Sequence, residues 1–331
     1  MTSWTTANKG VHPCSTTGIG SLPYATVEEA LTHVFSHYEI PFLPQLPNVS
    51  KREQMIAQPL EDFPGFREKK GAFSVELDRF EFEDFKRKTF SFAAFSALPR
   101  FLKQNRSEII KLQMTGPSTI AEHLYCSDKR RLIDHPEIYE YLILFLIHKT
   151  QALIDRFEDK PQILFLFDEP VLTEKNSEMV FRGLGRMVDV LSKKSNTLFG
   201  LHSCNRWSGP VFSEFFKSPL KMLSMDMLLN VDSLLADVEV MKTWMAYLQK
   251  GWMVWGLGPD TDPSNILIAR FKNEGLQNKK IISIIKRSLL SPACGTGLLS
   301  VAQERACAIQ LKKSAQRLRE IIDSETESGQ S

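Results

Sequence analysis

Histidine, cysteine and aspartate residues with the spacing of metal ligands follow three short apolar segments. His202 and Cys204 stand two residues apart, so in an extended chain their side chains project to the same face. Asp226 and Cys294 each follow another apolar segment. One imidazole, two thiolates and a carboxylate suit Zn²⁺, a borderline-soft ion that is held in a tetrahedron. We therefore predict a zinc site of His202, Cys204, Asp226 and Cys294.

Taken singly, these residues also have structural explanations. Asp226 could equally cap the helix that follows it, and a lone cysteine is often just a small buried residue. We interpret the remaining cysteines in that structural sense; they are Cys14, Cys126 and Cys307. The metal hypothesis depends on three separate strand ends meeting at one place.

Two further segments point to recognition of an amino acid. Asp168 and Glu169 are adjacent carboxylates that directly follow an apolar run, and they suit an ammonium group, with a helix cap as the alternative. Ile19, Gly20 and Ser21 lie in a glycine-rich run where a ligand can approach the backbone closely. The N–H groups there and the Ser21 hydroxyl could bind a carboxylate, although an ordinary Gly/Pro turn would have the same composition.

Eight short apolar runs are predicted to be strands that position these residues. They are 16–22, 41–46, 110–115, 162–167, 197–202, 221–225, 252–257 and 289–293. Segments with helical periodicity lie between most of them, which favours βα units and a parallel sheet. Eight such units indicate an α/β fold of the (β/α)8 TIM barrel class, in which the strands' carboxyl ends form the site. A doubly wound open sheet is the alternative, but no Gly-x-Gly-x-x-Gly run follows the first strand.

The predicted helices leave one segment unassigned. They are 27–37, 137–157, 178–193, 233–249, 266–273, 278–286 and a last helix at 300–322. The segment 47–106 is rich in phenylalanine and charge, and we predict that it is an insertion after the second strand, lying over the barrel mouth. The expected organisation is a single barrel domain over 1–323 and a flexible tail at 324–331.

Composition excludes several classes of function. The 331 residues carry a formal net charge of +2, with 43% hydrophobic and 24% charged residues, and no long basic run suggests nucleic-acid binding. The longest apolar run, 141–147, is too short to cross a bilayer, and residues 1–10 lack the apolar core of a signal peptide. An odd count of five cysteines argues against a disulfide framework, so we expect a cytoplasmic protein without a membrane partner.

The order of the motifs resembles the catalytic domain of cobalamin-independent methionine synthase. The matching runs are Thr-Thr-Gly-Ile-Gly-Ser-Leu-Pro at 16–23, Thr-Gly-Pro-Ser-Thr-Ile at 115–120, Phe-Asp-Glu-Pro at 167–170, Leu-His-Ser-Cys at 201–204 and Ser-Pro-Ala-Cys-Gly at 291–295. The resemblance covers roughly 16–297 and implies a (β/α)8 barrel with a catalytic zinc. It also implies methyl transfer to homocysteine in methionine biosynthesis.

The resemblance assigns roles to individual residues. His202, Cys204 and Cys294 match the family's zinc ligands, and Asp226 matches the position of a glutamate ligand. By the same resemblance Asp168 holds the amino group of homocysteine. Ile19 and Ser21 then line the pocket for its carboxylate.

The chain departs from the family where the methyl donor binds. We expect the chain to lack the family's large N-terminal domain. It has no counterpart of the family's folate-stacking tryptophan or of its histidine after strand seven, where Asp260 and Asp262 are candidates to handle the proton. The donor is thus a folate, a methylcorrinoid protein or a small methylated metabolite, and we expect transfer from free methyltetrahydrofolate to be slow or absent. Two alternatives stay open: a corrinoid-linked methyltransferase acting on another thiol, and a non-catalytic barrel that binds zinc or a thiol.

Overall fold

Strands and isolated bridges build a curled sheet at the centre of the chain. The computed structural model describes residues 11–69, 72–82, 90–194, 196–258 and 263–328. Its strands are β1 (Phe66–Lys69), β2 (Ala72–Val75), β3 (Ile109–Thr115), β4 (Tyr125–Cys126), β5 (Gln162–Asp168), β6 (Thr197–Ser203), β7 (Met222–Asp226), β8 (Trp252–Leu257) and β9 (Ser288–Pro292). Among these, β3-β5-β6-β7-β8-β9 pair in that order, all in parallel, which confirms the last six predicted strands.

The first two predicted strands are extended segments with single bridges rather than regular strands. Thr16 bridges Leu290 of β9, and Ser21 bridges Gln45. On the other side, Phe42 bridges Lys111 of β3. The segment 41–46 contains two prolines, which lack the N–H group that a regular ladder needs. The two segments nevertheless link the edge strands β3 and β9, an arrangement consistent with a TIM-like barrel.

Alternate residues of each strand face opposite sides of the sheet. On β5, Phe165 and Phe167 belong to the large core between sheet and helices, whereas Leu164 and Leu166 belong to a small separate cluster inside the curl. The inner cluster consists of Val11, Ile40, Ile109, Leu164, Leu166, Met222, Trp252, Val254 and Leu289, at or near the strands' amino ends. The same inward face becomes polar toward the carboxyl ends, so polar chemistry is confined to one end of the sheet.

Eleven α-helices are present in the described residues, and most flank the sheet. They are α1 (Val27–His37), α2 (Ala93–Gln104), α3 (Pro117–His123), α4 (Pro136–Asp155), α5 (Ser177–Leu191), α6 (Gly209–Lys217), α7 (Met227–Leu235), α8 (Val238–Tyr247), α9 (Pro263–Asn273), α10 (Asn278–Ile285) and α11 (Val301–Ser328). In the described part of the chain, no helix combines the length and the hydrophobicity needed to cross a bilayer.

Two predicted helices differ from those observed. The segment predicted as a single helix over 233–249 is divided between α7 and α8, because Asp237 caps α8 by accepting hydrogen bonds from the N–H groups of Glu239 (2.8 Å) and Val240 (3.2 Å). The last helix continues to Ser328, beyond its predicted end at residue 322.

The segment 47–106 does not form one uniform insertion. It contains short 3₁₀ turns, the antiparallel hairpin of β1 and β2, and α2. Strand β2 also pairs in parallel with β4, which gives a small second sheet. Helix α2 packs against α1, with the rings of Phe35 and Phe101 stacked at 5.6 Å. It thus takes the place of the helix between the second and third strand segments, and the predicted bounds of the insertion are not confirmed.

Candidate active site

Neighbouring strands bring polar side chains into register at their carboxyl ends. Asp168 is the register partner of Thr115 on β3 and of His202 on β6. His202 is in turn the partner of Ser224 on β7. Side chains in register on adjacent parallel strands share a face of the sheet. This face points into the curl, so these groups line the inside of the barrel-like sheet at one end.

His202 and the two predicted cysteine ligands are in contact. Hydrogen bonds from the Cys204 thiol and then from His202 lower the pKa of Cys294 to about 4. The bond that Cys204 donates, together with its partial burial, raises the pKa of the Cys204 thiol. These two donors from the end of β6 therefore favour the thiolate form of Cys294. The contact joins the chain after β6 to the chain after β9.

The second imidazole nitrogen of His202 is fixed by the neighbouring strand. His202 Nδ1 lies 2.9 Å from Ser224 Oγ, and both side chains are buried. Because Nδ1 is engaged with Ser224, Nε2 is the nitrogen that remains available to Cys294 or to a metal. Such a bond on the far nitrogen orients a ligating histidine and selects its tautomer.

Asp226 begins helix α7. Its Oδ1 accepts a hydrogen bond from Leu229 N at 3.0 Å, which is the role of an N-cap residue. Asp226 lies on the same face of β7 as Ser224, two residues further along the strand. The structure therefore places its carboxylate at the correct end of the sheet and engages one oxygen in the cap.

Asp168 carries a buried carboxylate with an oxygen that lacks a partner. The residue is 6% exposed, and Oδ1 makes no hydrogen bond within the described part of the chain. Burial raises the pKa of Asp168 to about 6, against the opposing effect of His202 and Lys111. A buried polar atom without a partner is uncommon in folded proteins and suggests a position where a ligand donates.

Glu169, expected to bind an ammonium group or to cap a helix, accepts hydrogen bonds from the start of α3. Its Oε1 accepts from Ser118 N at 3.0 Å, and its Oε2 accepts from Thr119 N at 2.7 Å and Thr119 Oγ1 at 2.6 Å. Both oxygens therefore cap the start of α3. A side chain at Gly116 would place its Cβ 2.2 Å from Glu169 Oε1, so the glycine of the Thr-Gly-Pro run makes this approach possible.

The segment of Ile19, Gly20 and Ser21 is held through its carbonyl groups. Ile19 O accepts from Lys111 Nζ, Gly20 O from Gln45 N, and Ser21 O from Thr296 N at 2.9 Å. Within the described residues, the N–H groups of the same three residues make no backbone hydrogen bond. The last contact also attaches this segment to the loop that carries Cys294.

Lys111 is a site residue that sequence reasoning missed. It lies on β3, is 1% exposed, and its Nζ donates to Ile19 O and to Gln113 Oε1 at 3.2 Å. Burial lowers the pKa of Lys111 to about 8, while the charge of Asp168 raises it. The sequence contains a pattern that could have identified Lys111. Lys111, Gln113 and Thr115 alternate with apolar residues, which places the three on one face of the strand.

A second group of potential ligands lies apart from the predicted one. Within the described residues, Cys126, Asp128 and His135 form a group whose ligand atoms all lie within 4.8 Å of one another. Two of the three are also held by Arg130, whose Nε donates to Asp128 Oδ2 at 2.8 Å and whose guanidinium contacts His135 Nδ1 at 3.2 Å. The contacts of Arg130 account for the closeness of Asp128 and His135 without a metal, and the group serves as a control for the predicted site.

The remaining predicted residues are two buried cysteines and two aspartates outside the described ranges. Cys14 and Cys307 are buried, as expected of structural cysteines. Asp260 and Asp262, the candidates for proton handling, lie outside the described residues.

Comparison with known proteins identifies a related fold. No protein-family model matches the chain, and no curated protein matches its sequence. A solved B12-independent methionine synthase from Shewanella sp. W3-18-1, in complex with selenomethionine, superposes with a TM-score of 0.64 and covers 95% of this chain and 100% of its own, at 14% identity. A proposed fructose-1,6-biphosphate aldolase from Coccidioides immitis reaches a TM-score of only 0.28 at 13% identity. The first similarity shows a shared fold over nearly the whole chain.

Proposed function

We propose that this chain is a zinc-dependent methyltransferase that transfers a methyl group to a small thiol, with homocysteine as the acceptor. The observation that carries the proposal is the contact of Cys294 with both Cys204 and His202, beside a buried Asp168 with an unpartnered oxygen. The fold similarity to a methionine synthase supports a methyltransferase type of enzyme. The substrate and the zinc are inferred from the chemistry of the side chains.

The donor set fits zinc. His202 offers Nε2 while its Nδ1 is held by Ser224, and Cys204 and Cys294 offer two sulfur donors that already touch. Nitrogen and thiolate ligands of this kind, with one position left open for substrate, are typical of catalytic zinc. Asp226 is the proposed additional ligand, through the oxygen that does not cap α7, and it would exchange for the acceptor sulfur when the substrate binds. When bound, zinc would hold the acceptor sulfur as a thiolate, and so keep a nucleophile present at neutral pH.

The chain's own groups would orient the amino-acid part of the acceptor. Asp168 Oδ1 would accept from the ammonium group, which supplies the missing hydrogen bond and favours the charged carboxylate. The N–H groups of Ile19, Gly20 and Ser21 would bind the carboxylate of the same ligand. Lys111 holds the Ile19 carbonyl and adds a buried positive charge behind this segment. Fixing both ends of the ligand restricts where its sulfur can lie.

The methyl donor is proposed to be one whose leaving group needs little help from a proton donor. The chain lacks counterparts of the folate-stacking tryptophan and of the loop histidine of the family that it resembles. In a methylcorrinoid protein the leaving group is the corrinoid in its Co(I) form, which needs no proton. Asp260 and Asp262 follow β8 and are the proposed proton-handling residues if a folate is used after all.

The metal proposal is tested by the metal content of purified variants. We expect about one zinc per chain in the wild type, and its loss in Cys204→Ser and Cys294→Ser because a hydroxyl is a far poorer ligand than a thiolate. Cys126→Ser is the matched control, since it alters the other cysteine-containing group and should keep the zinc. Zinc retained in both ligand variants would refute the site, and zinc lost only from the Cys126 variant would assign the metal to that group.

Turnover distinguishes an enzyme from a binding protein. The zinc-loaded protein should convert homocysteine to methionine with at least one of the two donors, methylcorrinoid protein or methyltetrahydrofolate. Stoichiometric zinc and homocysteine binding without methionine from either donor would favour the non-catalytic barrel.

A further inference from the structure

A large cavity lies outside the candidate active site. Its volume is about 670 Å³, and its lining comes from two stretches of the chain, 49–73 and 91–93. Cavities of this size are typical of small-molecule sites. Neither the predicted metal ligands nor Asp168 belongs to its lining. The kind of ligand that fits it therefore follows from a separate set of side chains.

Glu53 contributes a buried carboxylate without a counter-charge to this cavity. The residue is 2% exposed, and its Oε2 accepts from Leu46 N at 3.1 Å. Within the part of the chain that the structure describes, its Oε1 has no hydrogen-bond partner and the residue takes part in no ion pair. Burial raises the pKa of this carboxyl to about 7, and the hydrogen bond from Leu46 offsets the rise only in part. A bound cation would supply the missing charge and favour the carboxylate.

The other charged residues of the lining leave the balance negative. Four of them are exposed, two positive and two negative, and water screens their charges; they are Arg52, Arg67, Asp62 and Glu68. Glu61 is half-buried, and both of its oxygens accept from Ser91, Oε2 from the N–H group at 3.0 Å and Oε1 from the hydroxyl. No lining residue offers a buried positive charge to Glu53. The interior of the cavity therefore favours a cation over an anion.

Phenylalanine rings form the apolar part of the wall. The four that line it are Phe63, Phe66, Phe73 and Phe92. Phe66 and Phe73 stack across the β1–β2 hairpin, with ring centroids 5.5 Å apart and an interplanar angle of 19°. Both are half-buried, as is Phe92, so each keeps part of its surface uncovered. The face of an aromatic ring carries partial negative charge and attracts a cation, so the rings and Glu53 favour the same sign of charge.

The small number of buried acceptors selects the kind of cation. A primary ammonium group has three N–H donors, and burying one of them without an acceptor costs free energy. Of the two buried polar side chains in the lining, Glu53 has one open oxygen, whereas Gln58 Oε1 already accepts from Gln45 Nε2 at 2.7 Å. A quaternary ammonium group has no N–H group, and its methyl groups can contact the rings directly. Gln58 Nε2 is buried without a partner in the described residues, which suits an oxygen on the same ligand.

We propose that this cavity binds a quaternary ammonium compound, with its methyl groups against Phe66, Phe73 and Phe92 and its positive charge facing Glu53. A hydroxyl or another oxygen of the ligand accepts from Gln58 Nε2. The binding is noncovalent and requires neither zinc nor methyl transfer. Metal content and turnover therefore test the proposed function, whereas affinity for a cation tests this cavity.

Calorimetric titration of the full-length chain tests the ligand class. The probe is choline, which combines a quaternary ammonium group with a hydroxyl. The controls are 3,3-dimethylbutan-1-ol, which has the same shape without the charge, and ethanolamine, which has the charge and the hydroxyl without the methyl groups. We expect choline to bind at least about tenfold more tightly than either control. Equal affinity of the neutral alcohol, equal affinity of ethanolamine, or no binding of choline at about 10 mM would each overturn the proposal.

Two variants assign the binding to the cavity. Glu53→Gln keeps an oxygen for Leu46 N but removes the charge, and should weaken choline binding about tenfold or more. Phe73→Leu keeps an apolar side chain but removes a ring, and should weaken it about threefold or more. Glu68→Gln is the matched control, because this carboxylate lines the same cavity but is exposed, and it should change the affinity less than about twofold.

Unchanged circular dichroism spectra would show that the variants are folded. Unchanged choline affinity in both Glu53→Gln and Phe73→Leu would place the ligand elsewhere and refute the site. An equal loss in Glu68→Gln would show a general effect of surface charge and would also refute it. If Glu53→Gln does not fold, Phe73→Leu decides.

Discussion

Replacing Asp168 by asparagine removes one buried negative charge and keeps the size of the side chain. The carboxylate is 6% exposed, and its Oδ1 has no partner among the described residues. The protein alone therefore gains little from this charge, whereas a ligand with an ammonium group would gain from it directly. The substitution should accordingly change stability and ligand binding in opposite directions.

The stability effect follows from the raised pKa. Burial raises the pKa of Asp168 from 3.8 to about 6, so the folded protein binds this proton more tightly than the unfolded chain does. The stabilisation that comes from this tighter binding of the Asp168 proton is fully present below pH 3.8 and is lost as the pH rises through about 6. At pH 7.5 the ionised group thus costs roughly 2–3 kcal/mol. Asp168→Asn should raise the free energy of unfolding by about this amount at pH 7.5 and leave it nearly unchanged at pH 4.

The binding effect has the opposite sign. Loss of one charge-assisted hydrogen bond to an ammonium group costs about 1.5–3 kcal/mol, or roughly 10- to 150-fold in Kd. Homocysteine should therefore bind much more weakly to the variant. A thiol that lacks the amine, 4-mercaptobutanoate, should bind the variant at least as well as the wild type, because no favourable contact of that ligand is removed.

Urea denaturation at pH 4 and pH 7.5 measures the first effect, and calorimetry with the two thiols on zinc-loaded protein measures the second. Comparing the variant with the wild type isolates Asp168 from the other buried carboxyls, which are the same in both proteins. A variant that is less stable at pH 7.5, or that loses affinity for both thiols equally, would show that Asp168 has a structural role. The assignment of the ammonium site would then be wrong.

Three further substitutions and one assay test the packing at Gly116, the orientation of the His202 imidazole and the choice of methyl donor. Gly116→Ala should lower the free energy of unfolding by roughly 1–3 kcal/mol, because the new Cβ would lie 2.2 Å from Glu169 Oε1. In the control, Gly185→Ala in α5, the new Cβ meets no atom within 4 Å, and the free energy of unfolding should rise by roughly 0.5–1 kcal/mol. Urea denaturation measures both. Ser224→Ala frees His202 Nδ1 and should weaken zinc binding about 10- to 100-fold in a chelator competition, and unchanged affinity would contradict the proposed orientation of the imidazole. In parallel turnover assays, a methylcorrinoid protein should support faster methionine formation than methyltetrahydrofolate, and efficient turnover with the folate alone would show that the chain has its own proton donor.

The parallel strands could be predicted from sequence because each is a local pattern. An apolar run such as 162–167 is followed by a chain reversal and a segment with helical periodicity, and these features need no knowledge of the rest of the fold. The same approach predicted regular strands at 16–22 and 41–46, which instead pair through isolated bridges. It also missed the break between α7 and α8, where one aspartate caps a helix inside a continuous apolar pattern.

The sequence by itself determined which residue types stand at the strand ends: His202, Cys204 and Cys294, with Asp168 one strand away. Only the tertiary structure decided what each one touches. It engages Glu169 with α3 and Asp226 with α7, and it buries Lys111 beside Asp168. The reason is physical: strand periodicity fixes the face on which a side chain lies, but partners distant in sequence meet only when the sheet curls and its helices pack.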